Sequence, residues 1–302
     1  MINLKSLKNS FRVIVILFVL TAFTVTSVSA ITFYLSNGYR YRDITASTVA
    51  LSGYESNDTE LIIPEKLDGR TVISVDSYAF YGNTDITALD FSQASGLSAI
   101  GDGAFCECSS LQNVVIPSTV NSIAEMAFQD CTALETIRFD AQVSKIDRQM
   151  FIRCSSLTDF IVPDAVTSIL DFAFADCSAL ERIVIPPSVN NISNVAFLND
   201  PNLTIYCMED SYAHAYAEAH DIPYVLMYTF ILGDVDGNGS VNVSDVTTIQ
   251  RYLAELDVLE GISLYASDAN RDGVLDISDA TAIQMYLAEY EIEYPIGEII
   301  TQ

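Results

Sequence analysis

The residues best suited to chemistry lie near the C-terminus of this 302-residue chain, where one acidic pattern is written twice. The first copy runs Asp234-Val-Asp236-Gly-Asn238-Gly-Ser240-Val-Asn242-Val-Ser-Asp245. The second begins 34 residues later and runs Asp268-Ala-Asn270-Arg-Asp272-Gly-Val274-Leu-Asp276-Ile-Ser-Asp279. Oxygen-bearing side chains fall at positions 1, 3, 5, 9 and 12 of each copy, with glycine at position 6. A calcium ion takes about six to eight hard oxygen ligands, and the sharp turn that gathers them is one that glycine makes without strain. Position 7 contributes a backbone carbonyl, so Ser240 and Val274 need no particular side chain. The pattern predicts two Ca2+ ions, one held by Asp234, Asp236, Asn238, Ser240, Asn242 and Asp245, the other by Asp268, Asn270, Asp272, Val274, Asp276 and Asp279. Val241 and Leu275, apolar at position 8, are expected to pair the loops through a short strand or to turn into the core.

Each loop must be positioned by the segment C-terminal to it, and those two segments are near copies. Asp245-Val-Thr-Thr-Ile-Gln-Arg-Tyr-Leu-Ala-Glu and Asp279-Ala-Thr-Ala-Ile-Gln-Met-Tyr-Leu-Ala-Glu place Ile249, Tyr252, Leu253 and Ile283, Tyr286, Leu287 at helical spacing. No helix is expected to enter either loop, because Phe230-Ile-Leu-Gly is too short for one. The loops match the EF-hand calcium pattern except that Asp245 and Asp279 stand where a longer Glu is usual. A loop with an exiting helix, repeated once over some sixty residues, resembles the type I dockerin of cellulosomes.

That resemblance implies a docking module which binds a cohesin of a scaffoldin through a helix-bearing face. The family reads its partner at loop positions 10 and 11 and on the helix at 17, 18 and 22. Those positions are Val243, Ser244, Gln250, Arg251 and Glu255 in the first copy, and Ile277, Ser278, Gln284, Met285 and Glu289 in the second. Arg251 against Met285, and Leu256 against Tyr290, make the two faces inequivalent.

Upstream, the chain is organised by a repeat. Phe80, Phe105, Phe128, Phe151, Phe174 and Phe197 are spaced by 25, 23, 23, 23 and 23 residues. With each Phe as zero, +6 is Ile86, Leu111, Leu134, Leu157, Leu180 and Leu203, and +18 is Ile123, Ile146, Ile169 and Ile192. Apolar residues also recur at +9 and +11, which predicts a short strand with both facing inward, ended by Pro117, Pro163 and Pro186. A fixed period of this length means a solenoid whose coils share one continuous core. The pattern Ile-x-x-x-Ala-Phe-x-x-Cys-x-x-Leu-x-x-x-x-Ile-Pro resembles the BspA-like leucine-rich repeat. Its flanks read as caps: opening strands from Tyr39 to Arg70, a closing helix from Ser211 to His220 and a last strand at Ile222–Val225.

Residues 1–30 read as a secretory signal peptide, with Lys5, Lys8 and Arg12 ahead of an apolar run and Val28-Ser-Ala30 as a cleavage site. The expected organisation is a signal at 1–30, a capped leucine-rich repeat solenoid at 31–228 and a dockerin at 229–302. The fold class is thus a β-rich repeat solenoid with a small α-helical module after it. Removing the signal takes three positive charges and moves the net charge from −26 to −29. So acidic a surface argues against nucleic acid and anionic lipid as partners, and no membrane span is expected after cleavage.

No phosphate loop, zinc motif or nucleophile elbow is present, and the only histidines, His214 and His220, are six residues apart in the closing helix. Glu107, Asp130, Asp159 and Asp176 could supply a glycosidase pair by type, but they read as solvated turn residues. Cys108, Cys131, Cys154 and Cys177 share position +3 and read as a column of small buried hydrophobes, with Cys106 as the exposed thiol. Outward positions +8 and +10 of the strands (Asn113 and Val115, Thr136 and Arg138, Asp159 and Ile161, Arg182 and Val184) offer a face for an unidentified protein target. The resulting expectation is a secreted, non-catalytic cellulosome subunit acting in plant polysaccharide degradation. The alternatives are a dockerin-borne hydrolase, or a surface adhesin or regulatory inhibitor.

Overall fold

The computed structural model describes residues 31–301 together with Ile14 and Val15; the expected signal peptide otherwise lies outside the described residues. Two compact units divide at Val225 and Leu226. No helix among the described residues is long and apolar enough to cross a membrane.

The N-terminal unit is a β-solenoid of about eight coils of about 23 residues. In each regular coil the strand at +8 to +11 lays its apolar residues inward: Val114 and Ile116 are buried between exposed Asn113 and Val115. Successive strands pair in parallel with no slip. Asn113–Ile116 pairs with Thr136–Phe139, and Asp159–Ile161 pairs with the strand Arg182–Ile185. The phenylalanines at position zero stack down the axis, with ring centroids 5.2 to 5.8 Å apart from Phe80 to Phe197. Around them the backbone turns sharply, with left-handed φ at Glu107, Asp130, Arg153, Asp176 and Asn199, all at +2. Polar residues can occupy this position because it faces outward and adjacent coils bond along it. Arg153 holds Asp130 with two bonds of 2.5 and 2.6 Å, and Asn199 donates to Asp176 at 2.8 Å.

The regularity fails at one coil. Thr136–Phe139 belongs to a sheet with the strands before it, whereas Asp159–Ile161 starts a second sheet. The two-residue strand ladder divides one coil earlier, between Ser122–Ile123 and Lys145–Ile146. This coil has Phe139 at +11 and Asp140 where its neighbours have proline, and the next has Phe160 at +9. The two rings meet edge to face at 5.6 Å. The contact lies on the inner face of the solenoid, where the two sheets meet.

Both ends of the solenoid are covered. Thr32–Ser36, Tyr39–Asp43 and Thr48–Tyr54 form an antiparallel meander that passes into the first parallel pairing with Arg70–Val75. At the other end the helix Tyr212–Ala219, N-capped by Ser211, and the strand Tyr224–Met227 close the last coil.

The expected thiol column is present. Cys108, Cys131, Cys154 and Cys177 are buried and unbridged, and each Sγ donates to the carbonyl of the Phe one coil earlier at 3.1–3.2 Å. Cys106 differs from expectation: it is buried with the rest, because the turn residue that faces outward is its neighbour Glu107. Val184 also differs, being half-buried where Val115 and Ile161 are exposed. Its strand is paired on both sides, with Ile161 and Tyr206 as its cross-strand neighbours.

Candidate functional site

The C-terminal unit carries two eleven-residue helices, Val243–Leu253 and Ile277–Leu287, which pack against each other. Their shared core is Val246, Ile249, Ala280 and Ile283, joined by Leu232, Val235, Leu259 and Ile296. The antiparallel strands Thr229–Ile231 and Ile299–Thr301 tie the two ends of the unit together. Val241 and Leu275 pack onto this core rather than pairing as strands. The apolar stripe is narrower than helical spacing predicts, since Leu253 and Tyr286 lie partly in solvent.

Two features depart from the sequence expectation. The second loop is entered by a short helix, Ile262–Ser267, whose Ala266 is buried in the core. The exiting helices begin earlier than the copied segments, because Asn242 and Asp276 act as N-caps. Each forms a capping box with the aspartate three residues on, Asp245 or Asp279. The signal is available in Asn-x-x-Asp and Asp-x-x-Asp; only a reading of those residues as ligands hides it.

The loops are folded by their own backbone donors turned toward acidic side chains. Asp234 accepts from the N–H groups of Asn238 at 3.1 Å and Gly239 at 2.8 Å, and Asp268 accepts from Asp272 and Gly273, both at 3.1 Å. Gly239 and Gly273 take φ of 87° and 81°, the left-handed bend that glycine at position 6 provides. Asp236 and Asn270, Asn238 and Asp272 ring the same turns, with Asn242 and Asp276 closing them at the helix start. Asp245 and Asp279 are wholly buried, and burial pushes both carboxyl pKa values up. The bond from Ser244 holds Asp236 below the usual carboxylate range, and that from Ser278 does the same for Asp276.

In the first loop one carboxylate oxygen each from Asp234, Asp236 and Asp245 lies within 4.8 Å of the others. Three negative charges so close, two of them on buried residues, repel strongly unless a cation or protons intervene. Hard oxygen donors converging on one point, with no sulfur or imidazole among them, fit calcium.

The residues expected to read a partner form two outward faces. Val243 and Ile277 are 73 % and 59 % exposed at the helix starts, an unusual setting for β-branched apolar side chains. Gln250, Arg251, Gln284 and Met285 lie exposed on the helices. Glu255 and Glu289 sit just past the helix ends in left-handed conformation, φ 58° and 59°. Ser244, half-buried, and Ser278, exposed, also donate to Asp236 and Asp276 at 2.5 and 2.6 Å. Arg251 is forked onto Asp257 at 2.5 and 3.1 Å, whereas Met285 has no charge to engage.

The four carboxylates considered for a glycosidase pair are engaged otherwise. Asp130 and Asp176 make the turn contacts between coils, Glu107 accepts from Tyr81 at 2.7 Å, and Asp159 pairs with Arg182 at 2.8 Å. His220 contacts the Tyr216 carbonyl within the closing helix, and His214 accepts the Asp210 N–H.

Comparison with known proteins gives two family matches. Residues 73–204 match the BspA type leucine rich repeat region in six copies, and residues 232–288 match the dockerin type I domain. The chain thus carries a BspA-type leucine-rich repeat region followed by a C-terminal type I dockerin domain. No curated protein matches its sequence. Among solved structures, the leucine-rich repeat protein of T. pallidum is 22 % identical, with 74 % of this chain and 95 % of that chain covered and a TM-score of 0.52. A leucine-rich repeat protein from Bacteroides capillosus is 16 % identical, covering 54 % of this chain and 99 % of that one at a TM-score of 0.32. A leucine-rich cell surface protein from Faecalibacterium prausnitzii is 17 % identical, covering 61 % and 97 % at 0.23. The first of these supports the solenoid fold and nothing further. Type I dockerins bind calcium and imply a cohesin-type partner, and both domain types are non-catalytic interaction modules.

Proposed function

We propose that this chain is a secreted, non-catalytic cellulosome subunit working in plant polysaccharide degradation, with the solenoid at 31–228 and the dockerin at 229–302. Two calcium ions fold the dockerin, one in each loop, through the six ligand positions from Asp234 to Asp245 and the six from Asp268 to Asp279. The folded module plugs into a cohesin of a scaffoldin through the face of Val243, Gln250, Arg251 and Glu255 or that of Ile277, Gln284, Met285 and Glu289. Ser244 and Ser278 support those faces from the loop side. The solenoid strand face carries a second protein to the assembly, with Val115 and Ile161 as its exposed apolar contacts.

The observation that carries this reading is the convergence of the Asp234, Asp236 and Asp245 carboxylates within 4.8 Å. Without an ion such a cluster opposes folding, so binding free energy and folding free energy are linked. The test is circular dichroism and cohesin binding on the full chain, with calcium and then with excess EDTA. Chelation is expected to remove helical signal and release the cohesin while strand signal persists. An unchanged spectrum and unchanged binding in EDTA overturn the mechanism.

A further inference from the structure

The thiol column does not end in a thiol. Position +3 is Cys108, Cys131, Cys154 and Cys177 in four successive coils, and in the last coil, counted from Phe197, it is Asp200. Each cysteine donates its S–H to the carbonyl of the Phe one coil earlier, ending with Cys177 on Phe151. Continued by one coil, the same register sets the Asp200 carboxyl against the Phe174 carbonyl. Both oxygens of Asp200 are closed off from solvent and meet no hydrogen-bond donor. The backbone N–H of Cys177 acts on Asp200 and favours its charged form, but it is outweighed by burial and is already given to the Phe174 carbonyl at 3.1 Å. No ion pair among the described residues includes Asp200. The titratable groups acting on it are Asp176 and Cys177 of the preceding coil and Tyr216 of the closing helix, and none of these is cationic.

A carboxylate here would be buried, unpaired, next to an acidic neighbour and facing a carbonyl lone pair. Each of these disfavours the charged form. A neutral carboxylic acid instead carries one O–H, which can do what the four thiols do. We propose that Asp200 closes the column as a protonated acid donating to the Phe174 carbonyl, and that losing this proton loosens the C-terminal cap of the solenoid. The cap is thereby an acid-stabilised closure, independent of the calcium module. Burial raises the Asp200 pKa to about 7, which places the transition near neutrality.

Proton linkage sets the sign. The unfolded chain releases this proton near the ordinary value of 3.8, the folded chain only near 7. Stability relative to a non-titrating variant therefore falls as pH rises between those values and levels off above. The experiment compares thermal unfolding of strand signal in the full chain, at constant excess calcium, for wild type, Asp200→Asn and Asp200→Cys. Asparagine keeps a donor without a charge, and cysteine extends the native column. Both variants are expected to lose the wild-type decline, gaining several degrees in Tm relative to wild type on going from acid to pH 8. Infrared difference spectra are expected to show a protonated-carboxyl stretch in wild type at pH 6 that both variants lack. Wild-type and variant Tm curves that run parallel across the window, or a missing carboxyl band, overturn the proposal. Histidine titration cancels in these differences, since His214 and His220 are common to all three chains.

Discussion

The Oδ1 atom of Asp245 accepts the backbone N–H of Val235, ten residues earlier, at 2.8 Å. The same oxygen accepts from Asp236 at 3.1 Å, and Oδ2 accepts from Asn242 at 2.8 Å. One buried aspartate thus ties the start of the first loop to the start of its helix, in addition to the metal role proposed for it. Its counterpart Asp279 takes two such bonds, from Asn270 at 3.2 Å and Asp276 at 2.9 Å. Orphaning a buried donor costs about 1–3 kcal/mol. Asp245→Ala is therefore expected to destabilise the dockerin more than Asp279→Ala does, with the larger loss of calcium affinity. Urea titration at saturating calcium and calorimetry of calcium binding check the order. The reverse ranking would refute the account of Asp245 as the main tie.

The six cysteines predict a plain chemical result. All are buried and free. Burial pushes Cys106 up to about 11 and Cys108 to about 12, and raises Cys131, Cys154, Cys177 and Cys207 as well. Thiolate is the reactive form, so both access and charge state oppose modification. At pH 8 a small alkylating reagent is expected to leave the native chain unlabelled and to label all six sites in guanidinium chloride. Rapid labelling of Cys106 in the native protein would contradict its burial.

Periodicity separates the features legible in the sequence from those that are not. The stacked Phe80 to Phe197 column and the +9 and +11 alternation repeat, and a repeat announces an inward face without any knowledge of packing. The two acidic turns are equally open, because the side-chain types and spacing that fold them around Asp234 and Asp268 are written twice. The division between Thr136–Phe139 and Asp159–Ile161 is hidden, since Phe139 and Phe160 both satisfy the apolar pattern that runs straight through it. The helix Ile262–Ser267 escapes notice because a single turn or two leaves too few residues for a period to show. Burial of Cys106 is equally opaque, because exposure there depends on which turn residue takes the left-handed conformation, and Glu107 takes it.

Phe151 is the most heavily surrounded ring in the solenoid. Its centroid lies 5.3 to 6.1 Å from those of Phe128, Phe139, Phe160 and Phe174. Removing it leaves a cavity that four aromatic neighbours cannot all collapse into, and Phe→Ala at such sites costs about 3–5 kcal/mol. Phe80, at the start of the column, has a single stacking partner in it, Phe105, so Phe80→Ala is expected to cost less than Phe151→Ala. Solenoid stability is carried by nearest-neighbour interfaces, and a central lesion damages two of them. Chemical denaturation tracked by strand circular dichroism gives the comparison; equal losses would argue against a column in which position matters.

At Asp140 a return to the repeat pattern is expected to do harm. Pro117, Pro163 and Pro186 occupy +12 in their coils, so restoring proline at Asp140 looks like a repair. In this coil, however, the Asp140 N–H donates to the Ile116 carbonyl at 2.8 Å, a bond that proline cannot make. It crosses to the coil before and extends the pairing of Thr136–Phe139, the edge strand at which the sheet divides, with Asn113–Ile116. Asp140→Pro is therefore expected to destabilise the solenoid by about 1–3 kcal/mol. Asp140→Asn keeps the N–H and loses only the exposed ion pair with Arg138, so it is expected to change stability by about 0.5 kcal/mol or less. Urea denaturation of both variants decides the matter. A proline variant as stable as wild type means that this cross-coil bond contributes nothing.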